Sequence, residues 1–328
     1  MTSPGGVPHT FPASVIGGFG IPASGKNAIY ARHARVAVRF THKPDKIFVM
    51  SANDVSKVHD EYAFDRPPAG VPRNVIDDLW TAYEGKLVPA IKAIEERRSS
   101  MADWAVILTH VHAEAVRSSD FRDRAAAYLA AEHGITDPTK DQLQFERLRT
   151  LVNTPDLMAE CRFAVVRRPS DGPRFIGNAK GYGAPFEDLE FGHACVVFPL
   201  SPEVAVLMVV GAAKQDDDHR AGPMQDLTMT AAAVDMVNEA AWRLRGSSCV
   251  FGHPDDEDYI LNLDADRMLM PPVLGPFRGT CDMSLCDWAA RNDRARRLTI
   301  INWERARPAM LALAETAHQG LSETPTET

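Results

Sequence analysis

The chain changes character once, and that change limits what it can fold into. From residue 74 to 152 apolar residues recur at helical steps, and from about 162 to 252 the sequence turns to short β-rich runs. Ile76, Leu79, Tyr83, Leu87, Ile91 and Ile94 follow three- and four-residue intervals and form one face of a helix over 74–98. Trp104, Ile107, Leu108, Val111 and Ala115 repeat the pattern over 101–131, and residues 139–152 make a third, more charged helix. RFAVVRR, RFIGN, HACVVFPL and EVAVLMVV follow, punctuated by turn residues at SDGP (170–173) and SPE (201–203). Helices grouped before strands predict an α+β protein, a helical layer packed on a mainly antiparallel sheet.

The flanks fit around that centre. RVAVRF (35–40) and KIFVM (46–50) read as a hairpin, and SANDVSKVHDEYAF as a short helix capped by Ser51 or Asn53. A helix is expected over 226–245, then the strand SSCVFG and an irregular acidic segment, PDDEDYI. Residues 284–318 carry a long, charge-rich helical pattern, and 321–328 read as a disordered tail. No internal repeat divides the chain, so 1–328 is read as one domain: an N-terminal loop and hairpin segment (1–73), the helical layer (74–152), the sheet-rich part (162–252) and a C-terminal helix. At 328 residues it can bury a sizeable core.

Charge and composition narrow the partners. The net charge of −8 gives no drive toward nucleic acid, so a small-molecule or nucleotide ligand is favoured. The longest apolar runs, such as VAVLMVVGAA (204–213), fall short of the roughly 18 residues a membrane helix needs, and the start lacks a signal-peptide pattern. A cytoplasmic protein with no membrane partner is the expectation. The five cysteines are scattered at spacings that match no zinc pattern, so they read as small hydrophobes, and neither metal nor cofactor is called.

Several motifs invite chemistry. GIPASGKN (20–27) has Gly20, Gly25 and Lys26 at P-loop spacing, but Asn27 stands where a magnesium-binding hydroxyl is needed. No buried strand precedes it and no long helix follows, so a Gly/Pro/Ser turn is the simpler account. His110, Glu114 and Arg117 lie four and then three residues apart on one helix face, while His112 points elsewhere. No second Glu-x-x-His completes a metal-binding bundle pattern, which leaves a solvated or salt-bridged face. DDDH (216–219) and DDED (255–258) are acidic loop clusters without calcium-loop spacing.

One ordered set of segments resembles a family. HTFPASVIGGF (9–19) is similar to the opening signature H-x-x-P-x-x-x-L-[RK]-x-F of the bacterial domain-of-unknown-function family numbered 4238, with His9, Pro12, Ile16 and Phe19 on the pattern. Glu84 on one helix, Arg117-Ser118-Ser119 on the next, FIGN (175–178), VVFPLSPEVAVLM (196–208) and VDMVNEAAWR (234–243) follow in the family's order, over residues 9–252. Two positions depart. Gly17 replaces the basic residue, and Gly177-Asn178-Ala179 replaces a T-S-D triplet, so its carboxylate is missing.

The resemblance implies a polar site with His9 as acid or base, Arg117 as anion binder, and Asn178, Ser201 and Asn238 orienting a substrate, with Lys26 near its mouth. Two of these polar residues also have a purely structural reading: a turn for Ser201 and a capped backbone group for Asn238. An intracellular hydrolase acting on a nucleotide, a phosphorylated small molecule or RNA, with a role in phage defence, is one reading. A non-catalytic ligand-sensing or protein-interaction member with a degraded site is the other. Metal-dependent catalysis through the acidic loops is a third.

Overall fold

The structure, a computed structural model, describes residues 11–264 apart from 26–30, 56, 58–60, 69, 119–120, 159–160, 189–192, 211–224 and 246–247. The expected 284–318 helix and the 321–328 tail lie outside the described residues, as do His9, Lys26 and the DDDH cluster.

The helical layer contains α2 (Val75–Glu95), α3 (Met101–Arg117), α4 (Phe121–His133) and α5 (Lys140–Met158). The single helix expected over 101–131 is thus two, α3 ending at a Ser118 of extended backbone. A short helix, α1 (Ala13–Gly18), precedes them and packs against α2. Its Ile16 and the following Phe19 are fully buried, so these two positions of the opening signature are core packing. Gly17 explains its own departure from the family pattern. A Cβ there would stand 1.8 Å from the Ala31 carbonyl oxygen, leaving no room for a basic side chain.

Strands form two sheets rather than the single one expected. β1 (Arg35–Phe40) and β2 (Ile47–Ser51) make the predicted hairpin, joined by β9 (Cys249–Gly252) and β4 (Gly177–Asn178) in the antiparallel order β2-β1-β9-β4. The second sheet is ordered β5 (Gly183–Asp188), β6 (His193–Pro199), β7 (Val204–Val210), β3 (Cys161–Arg167) and β8 (Gln225–Thr228), antiparallel except where β3 meets β8. β8 takes the first residues of the helix expected at 226. The helix itself, α6 (Ala231–Arg243), starts at Thr230, whose side chain accepts a hydrogen bond from the Ala233 N–H. DDED is not a free loop either: it spans a 3-10 turn and the start of α7 (Glu257–Leu261), where acidic groups suit the helix dipole.

Alternation along the strands builds two cores from one sheet. Phe163, Val165, Phe198, Val204 and Val206 join the main core with α2–α5. Ala164, Val166, Val197, Ala205 and Leu207 point the other way, onto Val234 and Val237 of α6. A two-residue side-chain period makes this split unavoidable, and covering both faces is why these strands read as unbroken apolar runs.

Arginines bind the helix ends. Arg167 on β3 donates to the Ile94 and Glu95 carbonyls at the end of α2, and Arg39 on β1 to the Ile260 and Leu263 carbonyls around the end of α7. Arg147 on α5 donates to Val116 O, and the Tyr62 hydroxyl to Arg117 O, at the end of α3. Each meets carbonyls that have no partner within the helix and stabilises the negative end of its dipole. At its start α3 has a reciprocal cap between Ser100 and Asp103.

GIPASGKN is no phosphate cradle. α1 precedes it where a strand is required, and Ile21 bridges Arg35 of β1. Gly20 is needed because a Cβ would lie 2.2 Å from the Arg35 carbonyl oxygen.

Candidate functional site

With α3 pinned at both ends, its last two turns are held against α2, and the face carrying His110, Glu114 and Arg117 is turned inward. This corrects the expectation of a solvated face: all three are at most 2% exposed, Glu114 completely buried. The salt-bridged alternative holds in part. Arg117 Nη1 donates to Glu84 Oε1 at 2.5 Å and to the Tyr83 hydroxyl at 3.2 Å, both on α2. The guanidinium carbon lies 5.2 Å from the Trp80 ring centre. Two of the positions carried by the family resemblance, Glu84 and Arg117, are therefore direct partners. Burial works against the Arg117 charge, but Glu84, Tyr83, Tyr62 and Glu114 together outweigh it and keep the guanidinium firmly protonated.

Glu114 is the anomaly. Neither carboxyl oxygen has a hydrogen-bond partner, and the nearest polar atom recorded is His110 Nδ1 at 3.2 Å, itself unpartnered. Burial pushes the Glu114 carboxyl up to about 8, against the pull of Arg117 and with the push of Glu84. Burial, aided by Arg117, pushes His110 down to about 3. Close as they are, the two are a neutral acid beside a neutral imidazole near pH 7, not an ion pair. Phe11 packs edge-on to His110 with ring centres 5.5 Å apart, and Tyr83 lies on it at 6.4 Å. Among the described residues no three His, Cys, Asp or Glu side chains are grouped to hold a metal.

A turn closes over the acid. Gly181, with φ of +84°, stands so near Glu114 that a Cβ would meet Oε2 at 2.7 Å and Cγ at 2.9 Å. Asn178 shapes that turn, its carbonyl oxygen accepting from Lys180 N and its amide donating to Tyr182 O and, across the seam, Ala241 O of α6. Asn238 works from the other side. It accepts from Ile176 N and donates to Arg174 O and the Tyr259 hydroxyl, which in turn donates to Asp235.

Of the six residues singled out in the sequence, the four that are described are dispersed. Arg117 sits in the α2–α3 cluster, Asn178 and Asn238 bind the β4–α6 seam, and Ser201 closes the β6–β7 turn by accepting from Glu203 N. Only Asn178 reaches toward Arg117's neighbourhood, through Gly181. His112, on another side of α3, donates to the Leu151 carbonyl of α5. Tyr83 reads in the sequence as part of an apolar helix face, Trp80 and Gly181 carry no signal there, and the sole sequence signal for Glu114 is its place between His110 and Arg117. No known protein family, no curated protein and no solved structure matches this chain.

Proposed function

We propose that the α2–α3 cluster is an acid–base site and that the protein is a hydrolase acting on a nucleotide or other phosphorylated small molecule, RNA being the larger variant of the same substrate class. The observation that carries this reading is Glu114: completely buried, without a hydrogen-bond partner at either oxygen, and 3.2 Å from His110 Nδ1. An orphaned buried carboxyl is costly for a fold and useful for chemistry, since it holds a proton near neutral pH and can give it up. Arg117 supplies fixed positive charge beside it, suited to an anionic substrate. His9 remains part of the reading as a second acid–base group, two residues before the Phe11 that packs on His110. The likeness to the bacterial family numbered 4238, and with it an intracellular role in phage defence, belongs to the same proposal.

The test is a panel of nucleotides and phosphorylated small molecules assayed for product with wild type, Glu114→Gln and His9→Ala, each shown to fold by circular dichroism. Loss of about 100-fold or more in folded Glu114→Gln supports the acid–base role. Wild-type turnover in that variant refutes it. A second reading, ligand sensing without turnover, is favoured by Asn178, which stands where the family pattern has T-S-D and spends its amide on backbone. It predicts a ligand that raises Tm with no product formed.

A further inference from the structure

We infer that the α2–α3 cluster recognises a phosphate group and that Glu84 is its built-in stand-in, occupying the place on Arg117 that a ligand's phosphate takes. The inference rests on reading this cluster as the functional site, and it names the chemical group the site binds.

The polar atoms left over beside Arg117 on α2 are donors. Trp80 Nε1 is buried and has no partner, and an indole N–H can only donate. The Tyr83 hydroxyl accepts from Arg117, and no hydrogen bond among the described residues takes its own proton. The donors left without acceptors on α2 beside a guanidinium suit a group that accepts and carries negative charge, although two unpartnered Glu114 oxygens on α3 belong to the same cluster. Glu84 meets this demand in part, through one oxygen on Nη1. A phosphate offers three oxygens, enough to engage the guanidinium, the phenol and the indole together, which a carboxylate's two do not.

Exposure decides which member can leave. The Glu84 side chain is 32% exposed and that of Arg117 2%, so the pair runs from the surface to the interior. Releasing a water-exposed carboxylate costs little, whereas a buried guanidinium without a counter-charge costs a great deal, so an incoming anion must replace what departs. Asp77, two turns before Glu84 on α2 and within reach of both charges, adds an acidic rim that ligand binding must outweigh. Its carboxyl is pushed up by burial, so binding strengthens as pH falls through its titration.

The test titrates the full chain and Glu84→Gln with inorganic phosphate and with uridine 5′-monophosphate, by calorimetry at constant ionic strength. Removing the stand-in charge is expected to tighten phosphate binding about tenfold, the worth of one charge-assisted hydrogen bond no longer in competition. Adding Trp80→Phe, which keeps the ring and deletes the donor, should reverse part of that gain. Glu84→Gln also removes a carboxylate that Arg117 is bonded to, so a loss of stability that phosphate restores, and chloride at equal ionic strength does not, is the supporting result where the variant folds poorly. Glu84→Gln that binds phosphate no tighter than wild type and is not rescued by it overturns the inference. The site reading then stands or falls separately, on whether Glu114→Gln abolishes turnover or ligand response.

Discussion

Two buried polar regions lie within reach of each other, joined by the 178–182 turn, and they are built on opposite rules. At the β4–α6 seam, Asn178 and Asn238 together make six hydrogen bonds and leave no amide atom unused. At the α2–α3 cluster, Trp80, His110 and Glu114 each keep a buried polar atom with no partner. A satisfied network rigidifies a fold, while an unsatisfied one is tolerated where something outside the fold is to be met. The contrast gives the asparagines a structural part and is what the role proposed for the acid rests on, and substitutions in the two regions should behave differently.

The largest effect belongs to the satisfied side. Asn238→Ala strands Ile176 N–H and Arg174 C=O, while the Tyr259 hydroxyl loses a donor but keeps its bond to Asp235. At about 1–3 kcal/mol for each orphaned group, partly relieved by relaxation, the loss should be about 4 kcal/mol in denaturant unfolding. A cost below about 1 kcal/mol would show that this seam is not the structural network described, and the contrast would collapse.

On the other side, Glu114→Gln should cost little at neutral pH and change how stability depends on pH. The folded-state pKa of Glu114 is raised from 4.5 to about 8, so the folded protein holds a proton that the unfolded chain has released. Stability from that proton is complete below pH 4.5 and is lost as pH rises through 8. At about 1.4 kcal/mol per pH unit, wild type should lose about 2 kcal/mol relative to Glu114→Gln between pH 6.5 and 8. His110 and His112, pushed down to about 3 and about 4, act in the opposite sense and destabilise as pH falls below 6.5 in both proteins. Parallel stability–pH curves for the two proteins would mean that Glu114 is not held protonated.

How much of this was legible in the sequence follows from the range of each cause. The α2 stripe and the β1–β2 hairpin depend on local periodicity and turns, and both were readable to within a residue or two. The partition into two sheets was not, because β9 finds β1 across more than 200 residues and nothing local encodes that pairing. Of the site, Glu84 and Arg117 could be named but not paired. Whether the His110 face meets water or protein depends on which side of α3 packs on α2, and a face bearing His, Glu and Arg looks solvated by every local rule. Gly181 was invisible, since a glycine's purpose lies in its neighbour, here Glu114.

Gly181→Ala probes the point where the two regions meet. Its backbone conformation disfavours any Cβ, and the new methyl would press on Glu114 Oε2 and Cγ. We expect a loss of about 1.5 kcal/mol, falling to about 1 kcal/mol in a Glu114→Ala background, where the Glu114 contact is gone and the backbone term remains with the close approach to Phe11 Cε2. Strict additivity in that double-mutant cycle would separate the turn from the acid it covers.

The smallest effect comes from an arginine that resembles Arg117 only in type. Arg167 spends its guanidinium on the Ile94 and Glu95 carbonyls of α2 and on Asp226, so its work is that of a helix cap. Both carbonyl bonds are half-buried, and the Ile94 carbonyl also accepts from Arg97 N, so the loss of the donor is partly compensated. Arg167→Met should therefore cost about 1 kcal/mol and leave phosphate binding unchanged. Arg117 donates instead to side chains of α2, Glu84 and Tyr83, so the same replacement there should abolish the phosphate response in whatever fraction still folds. An Arg167→Met protein that lost phosphate binding would show that capping charge alone, rather than the side-chain partnership at α2–α3, governs the anion. That outcome would dissolve the distinction between the two kinds of buried arginine.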